Sequence, residues 1–234
     1  MQNTHSPGFA ELAISVNKSA MFSLFKKSEV SIRSISIPDL GWENTKNEPN
    51  IIQWHDSKNP NVLSLNFFNL PPDIPTIKDI NVLRNFYRTM VFNINGGLLQ
   101  VDVFQSRKLT FLKTLVKLPQ EKSGISYLAS LTLPFRTCSF VIKLTAAERG
   151  LTGMRETVVA DKLLSDGFSA ISDWRADPYD STFKGGALMN KSEQEIYDPK
   201  FPNHHLTKVR ALITQLEKDI KWGAEIDKLQ PFEK

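Results

Sequence analysis

A single cysteine, Cys138, stands in a chain of 234 residues, so no internal disulfide framework can cross-link it. It lies in an apolar run and reads as a small core residue in a reducing compartment, the cytoplasm. No stretch approaches the ~18 consecutive apolar residues of a membrane span. The opening residues, "MQNTHSPGFAELAISVNKSAMF", lack the charged and continuous apolar regions of a signal peptide. Dense basic runs are missing as well. Lys and Arg number 29 against 25 Asp and Glu, an excess of four spread along the chain. The nearest clusters, Lys26 with Lys27 and Arg107 with Lys108, Lys113 and Lys117, are too thin to track a phosphate backbone, so no nucleic-acid partner is expected. Of the four histidines, His5 and His55 are isolated. The adjacent His204 and His205 would point about 100° apart on a helix, which suits capping better than joint ligation of a metal. Neither a metal nor a cofactor is expected.

What is present is enough apolar residue, 41%, to bury a full core. Residues 1–20 read as an N-terminal extension in which Phe9, Leu12, Ala13, Val16 and Ala20 keep a helical period. Residues 21–234 read as one domain, with Met21 a plausible start in its own right. Val30 to Ile37 predicts a first strand whose buried face changes parity between Arg33 and Ser34, as at a β-bulge. "ENTKNEPN" reads as a polar loop, and Ile51 to His55 and Val62 to Phe68 as short strands. From Ile77 to Ile94 the period becomes helical, closed by Gly96 and Gly97. Four strands follow with clear alternation: Leu99 to Val103, "LTFLKTLVKL", "ISYLASLTL" and "SFVIKLTA". A helix after Gly153, a loop of about thirty-five residues from Phe168 to Pro202, and a final helix starting near Asn203 complete the chain. These elements predict an α+β domain: one large antiparallel sheet of about seven strands covered by three or four helices.

Chemistry concentrates in "ERGLTGMRE", Glu148 to Glu156. Its glycines before a helix suggest an anion-binding turn, yet the spacing is neither the dinucleotide fingerprint nor the P-loop, and the two carboxylates would repel an anion. With Thr152 or Gly153 as N-cap, Glu156 falls where the helix dipole favours a negative charge. The sounder reading is a structural corner, in which Arg155 pairs with Glu148, Glu156 or one of Asp173, Asp177 and Asp180. No Ser sits in a nucleophile elbow, and "DWRADPYD" lacks the ligand spacing of a calcium loop. The long loop is rich in aromatics, so Trp174 and Tyr179 join Glu148, Arg155, Glu156 and Asp177 as ligand or partner residues.

"YLASLTLPF", "FVIKLTAAERGLTGMRE" and "FPNHHLTKVR" resemble an uncharacterised bacterial family that shares an E-x-G-x-x-G-x-R-E corner and a final F-P-x-H-x-L-x-x-V-R helix. The element order is also similar to the PsbP/Mog1/DcrB-like fold. That resemblance implies a binding or accessory module more than an enzyme, with another protein as partner. The competing expectation is a hydrolase or small-ligand enzyme built around Glu148, Arg155 and Asp177.

Overall fold

The computed structural model describes residues 30–168 and 174–234. The expected extension over residues 1–20, the Met21 start, the pair Lys26 and Lys27, and Asp173 lie outside the described residues.

Seven strands make one antiparallel sheet: β2 (Glu43–Glu48), β3 (Ile51–His55), β4 (Asn61–Phe68), β5 (Gly97–Ser106), β6 (Leu109–Pro119), β7 (Ile125–Pro134) and β8 (Ser139–Ala147), in spatial order 2-3-4-8-7-6-5. After β4 the chain crosses through helix α1 (Ile80–Phe92) to the far edge, then returns strand by strand until β8 pairs with β4. The short pair β1 (Ile35–Ser36) and β11 (Lys221–Trp222) stands apart, as does the pair β9 (Arg175–Ala176) and β10 (Met189–Asn190). Helices α2 (Met154–Ser165) and α3 (His205–Asp219) complete the α+β architecture.

Alternation along the strands decides which helix lies on which face. Leu131, Ile142 and Leu65 occupy one cross-strand row, with Ala129 and Leu144 in the next, and all are buried on the face that α3 covers. Helix α3 offers Leu206, Val209, Ile213 and Leu216, spaced three and four apart as a buried stripe requires. Its last carbonyls accept from Arg107: Ile220 O at 3.4 Å, and Lys218 O more closely. On the opposite face Leu98, Val101, Leu112 and Val116 pack under Leu83 and Val91 of α1. Helix α1 packs against β5, and Tyr87, Met90, Val91 and Ile94 line one side of a groove whose floor is β6, β7 and β8.

Three local expectations are corrected. The parity change in Val30 to Ile37 is a 3-10 turn, Ile32–Ser34, capped by Ser31 with a reciprocal hydrogen bond from Ser31 N–H to Ser34. Ile32 and Ile35 are both buried because three-residue spacing returns to the same side of that turn. "ENTKNE" is not loop but the edge strand β2. Its residues are exposed or nearly so, which removes the apolar alternation that identifies a strand from sequence. The end of α1 takes its left-handed residue from Asn95, φ 55°, not from Gly96 or Gly97. Gly97 answers a different need: a Cβ there would lie 1.7 Å from Ala187 O, so the returning loop passes directly over the start of β5.

Candidate functional site

The "ERGLTGMRE" corner joins β8 to α2. Gly153, φ 76°, is the N-cap of α2 and supplies no side-chain cap. Arg155, in the first turn, is 2% exposed, and its guanidinium is fully engaged. Nε donates to Ser192 O at 2.6 Å, Nη2 to Gln194 O at 3.1 Å and Nη1 to Thr207 Oγ1 at 3.0 Å, with Asp198 Oδ1 2.9 Å away. The carboxylate partner is thus Asp198, not Glu148, Glu156, Asp177 or Asp180. Asp198 also accepts from Thr207 and Arg210, and Arg210 reaches Glu193 O at 2.7 Å. The two signature stretches therefore meet: Arg155 of the corner and Arg210 of the last helix share one carboxylate.

Glu148 belongs to the same corner. Its Oε2 accepts from Ile125 N–H at 3.0 Å, and its Oε1 lies 3.0 Å from His204 Nε2. Burial pushes the Glu148 carboxyl up, but the hydrogen bonds from His204 and Ile125 hold it, on balance, below its usual range. His204 is the N-cap of α3, displacing Asn203 by one residue. Its Nδ1 accepts from Leu206 N–H, so its proton sits on Nε2 and donates to Glu148. Glu156, in the first turn of α2, accepts from Trp174 Nε1 at 3.0 Å and from Arg175 at 3.4 Å. A cavity of about 170 Å³ lies between these groups, bounded also by Lys117, Tyr127 and Glu193. Lys117 Nζ and Glu193 Oε2 are 2.5 Å apart and buried.

Asp177 does not line that cavity. It pairs with Arg88 of α1 at 2.9 and 3.0 Å, with both side chains buried. Hydrogen bonding to Asp177 holds the Arg88 guanidinium above its ordinary range. Tyr179 accepts from Val101 N–H at 2.8 Å, and Arg84 lies 3.8 Å over its ring. The segment from Arg175 to Phe183 is thus strapped over α1 and β5 by its own side chains. Of the six expected site residues, Glu148, Arg155 and Glu156 line the cavity, Trp174 braces its rim through Glu156, and Asp177 and Tyr179 serve the strap.

A second feature was not legible as a site. The groove beside α1 has a volume of about 520 Å³ and a floor of Val116, Leu128 and Val141. Phe68, Leu70, Met90 and Ile94 wall it and are 44%, 68%, 50% and 62% exposed. Lys143 lies along it without a carboxylate partner among the described residues. The only signal in the sequence was an excess: Met90 and Ile94 extend the apolar stripe of α1 beyond what one buried face needs.

No protein-family model matches the sequence, and no curated protein matches it. Solved structures do. The chain is similar to the Ran-binding protein Mog1p of Saccharomyces cerevisiae, with 9% identity and a TM-score of 0.45 over 81% of this chain and 90% of that one. It is similar also to the cyanobacterial PsbP (CyanoP) of Synechocystis sp. PCC 6803, with 13% identity and a TM-score of 0.37 over 56% and 84%. A point mutant of protein Mog1 matches with 11% identity and a TM-score of 0.34 over 55% and 79%. These are the PsbP and Mog1 likenesses expected from element order. Similarity of this degree concerns the fold alone and carries no argument about function.

Proposed function

We propose that this chain is a non-enzymatic protein-interaction module of a bacterial cytoplasm, and that the groove beside α1 seats an apolar segment of another protein. The observation that carries this reading is the set of four large apolar side chains, Phe68, Leu70, Met90 and Ile94, left open to solvent along one continuous groove. Isolated exposed apolar residues need no explanation, but a contiguous apolar groove marks a binding surface. Lys143 adds a charge requirement: a carboxylate on the bound segment would meet an ammonium that has no carboxylate partner among the described residues. Among the described residues no helix is long and apolar enough to cross a membrane.

Support for the non-enzymatic half comes from the corner. The Arg155 guanidinium is committed to structural partners, and Asp177 of the competing enzyme reading lies outside the cavity that holds Glu148 and Arg155. The test is a photo-crosslinking residue at Met90 of the full chain in its native host. A discrete polypeptide adduct is expected, lost on Leu70→Asp with Ile94→Asp and retained on Arg175→Glu at the remote corner. Equal labelling of all variants would overturn the groove as the binding surface.

A further inference from the structure

The cavity at the corner has groups that the fold does not use. Tyr127, on β7, is 2% exposed and lines it, yet its hydroxyl makes no hydrogen bond among the described residues. That hydroxyl is not sealed in the core but opens onto the cavity, where a bound atom could partner it. Lys117 stands opposite Tyr127 on β6 and spends one N–H on Glu193, leaving two. Gly153 also lines the cavity, at the start of a helix that no side chain caps, and the first-turn N–H groups of such a helix have no partner within it. Donors for an oxyanion therefore gather around Tyr127, Lys117 and the α2 N-terminus.

Carboxylates gather there as well. Glu148 and Glu193 are both buried in the wall, and Glu156 stands at the rim. Each is held by an internal donor, but each retains lone pairs beyond those bonds. A plain anion would meet three like charges, and a plain cation would meet Lys117, Arg155 and Arg175. A molecule with one charge of each sign satisfies both sets. The space between the charged groups is also small, although it opens on one side to solvent. At ~30 Å³ for each water in the liquid, the space of about 170 Å³ holds roughly six water-sized atoms. Glycine, alanine and serine have about that many non-hydrogen atoms.

From Tyr127, Lys117, the uncapped helix start and the buried carboxylates, we infer that the cavity binds a small zwitterion of the α-amino-acid class. Its carboxylate lies toward Tyr127, Lys117 and α2, and its ammonium toward Glu148. This site is independent of the groove and does not rest on the interaction reading.

The test is calorimetric titration of the full chain with L-alanine, against acetate, methylammonium and glycerol as fragments of its chemistry and L-leucine as an oversized analogue. Saturable binding of alanine is expected, with acetate and methylammonium at least about tenfold weaker, since each forfeits one half of the hydrogen bonding. Glycerol, which carries neither charge, should not bind, and leucine should bind more weakly than alanine. Tyr127→Phe keeps the ring and should weaken alanine by about tenfold while leaving the melting temperature within a degree or two, as loss of one ligand hydrogen bond predicts. No binding of any probe would overturn the inference in favour of a water-filled cavity. Acetate binding as tightly as alanine would overturn it in favour of an anion site, and alanine affinity unchanged in Tyr127→Phe would remove the assignment of that hydroxyl.

Discussion

At the corner, Arg155 and Glu193 are each 2% exposed, and both are paired within 3 Å; in the groove, Leu70 and Ile94 are more than half exposed, and none of the described residues covers them. Both regions depart from the ordinary sorting of side chains, in opposite directions. Charges went inside at the corner because three separate segments, β6, the start of α2 and residues 190–200, bring complementary groups to one point. Loss of hydration is tolerable there only because every charge meets its partner. Apolar groups stayed outside at the groove because α1 reaches across β5 and β6, and among the described residues no further helix follows on that face over β7, β8 and β4. The corner's charges are paired around one small cavity, whereas the groove's apolar side chains are left uncovered by the described residues.

That contrast predicts how each region breaks. Arg155→Ala should have the largest effect, a loss of about 3–5 kcal/mol, because it takes a buried cation from Asp198 and removes the donor to Ser192 O, Gln194 O and Thr207 Oγ1. In a domain of this size that is a fall in melting temperature on the order of 10 °C. Arg155→Lys should recover little of it, since an ammonium cannot reach three directions from one plane. A variant that melts like the parent would show that the corner is not a closed unit.

Gly97→Ala comes next. The new methyl would collide with Ala187 O, and backbone cannot yield as a flexible side chain does. An overpacking loss of about 1–3 kcal/mol is expected, with faster proteolysis of the segment around Ala187 as the strap lifts. Undiminished stability would mean that the loop is seated by its side-chain fastenings, Asp177 on Arg88 and Tyr179 on Val101, and not by the close approach at Gly97.

Leu70→Asp with Ile94→Asp should scarcely move stability, within about 0.5 kcal/mol for each surface change, while removing partner binding. Chemical denaturation read beside crosslinking checks both halves. A large loss of stability would place these side chains in the core and dissolve the comparison.

The smallest effect concerns acid. The folded Glu148 carboxyl is held below its ordinary value of 4.5, so the stability it contributes is full above that value and is lost as pH falls through the folded one. Glu148→Gln should therefore flatten the acid limb of the stability profile just below pH 4.5, and leave its shape near neutrality unchanged. An unchanged acid limb would assign that limb to other carboxylates.

Much of the fold was legible along the chain. The runs of β7 and β8 alternate because each has one face under α3, and the stripe Leu206, Val209, Ile213, Leu216 repeats because one side of a helix meets that face. Strand β2 was not legible, because an edge with both faces in water has no pattern to keep. The corner was legible as a place but not as a set of partners. Arg155 announced a paired charge at a helix start, while its burial and its partners Asp198, Ser192 and Gln194 are fixed only when the chain returns.

By itself the sequence determined the α+β class, every strand of the large sheet except β2, and the long central run of antiparallel pairing, since periodicity is a local consequence of which side of an element meets the core. Only the tertiary structure decided that Lys117 faces Glu193, that Tyr127 borders a cavity, and that α1 leaves part of the sheet bare. Those outcomes depend on where residues distant in sequence arrive in space, and a pattern read one turn or one strand at a time contains no record of that arrival.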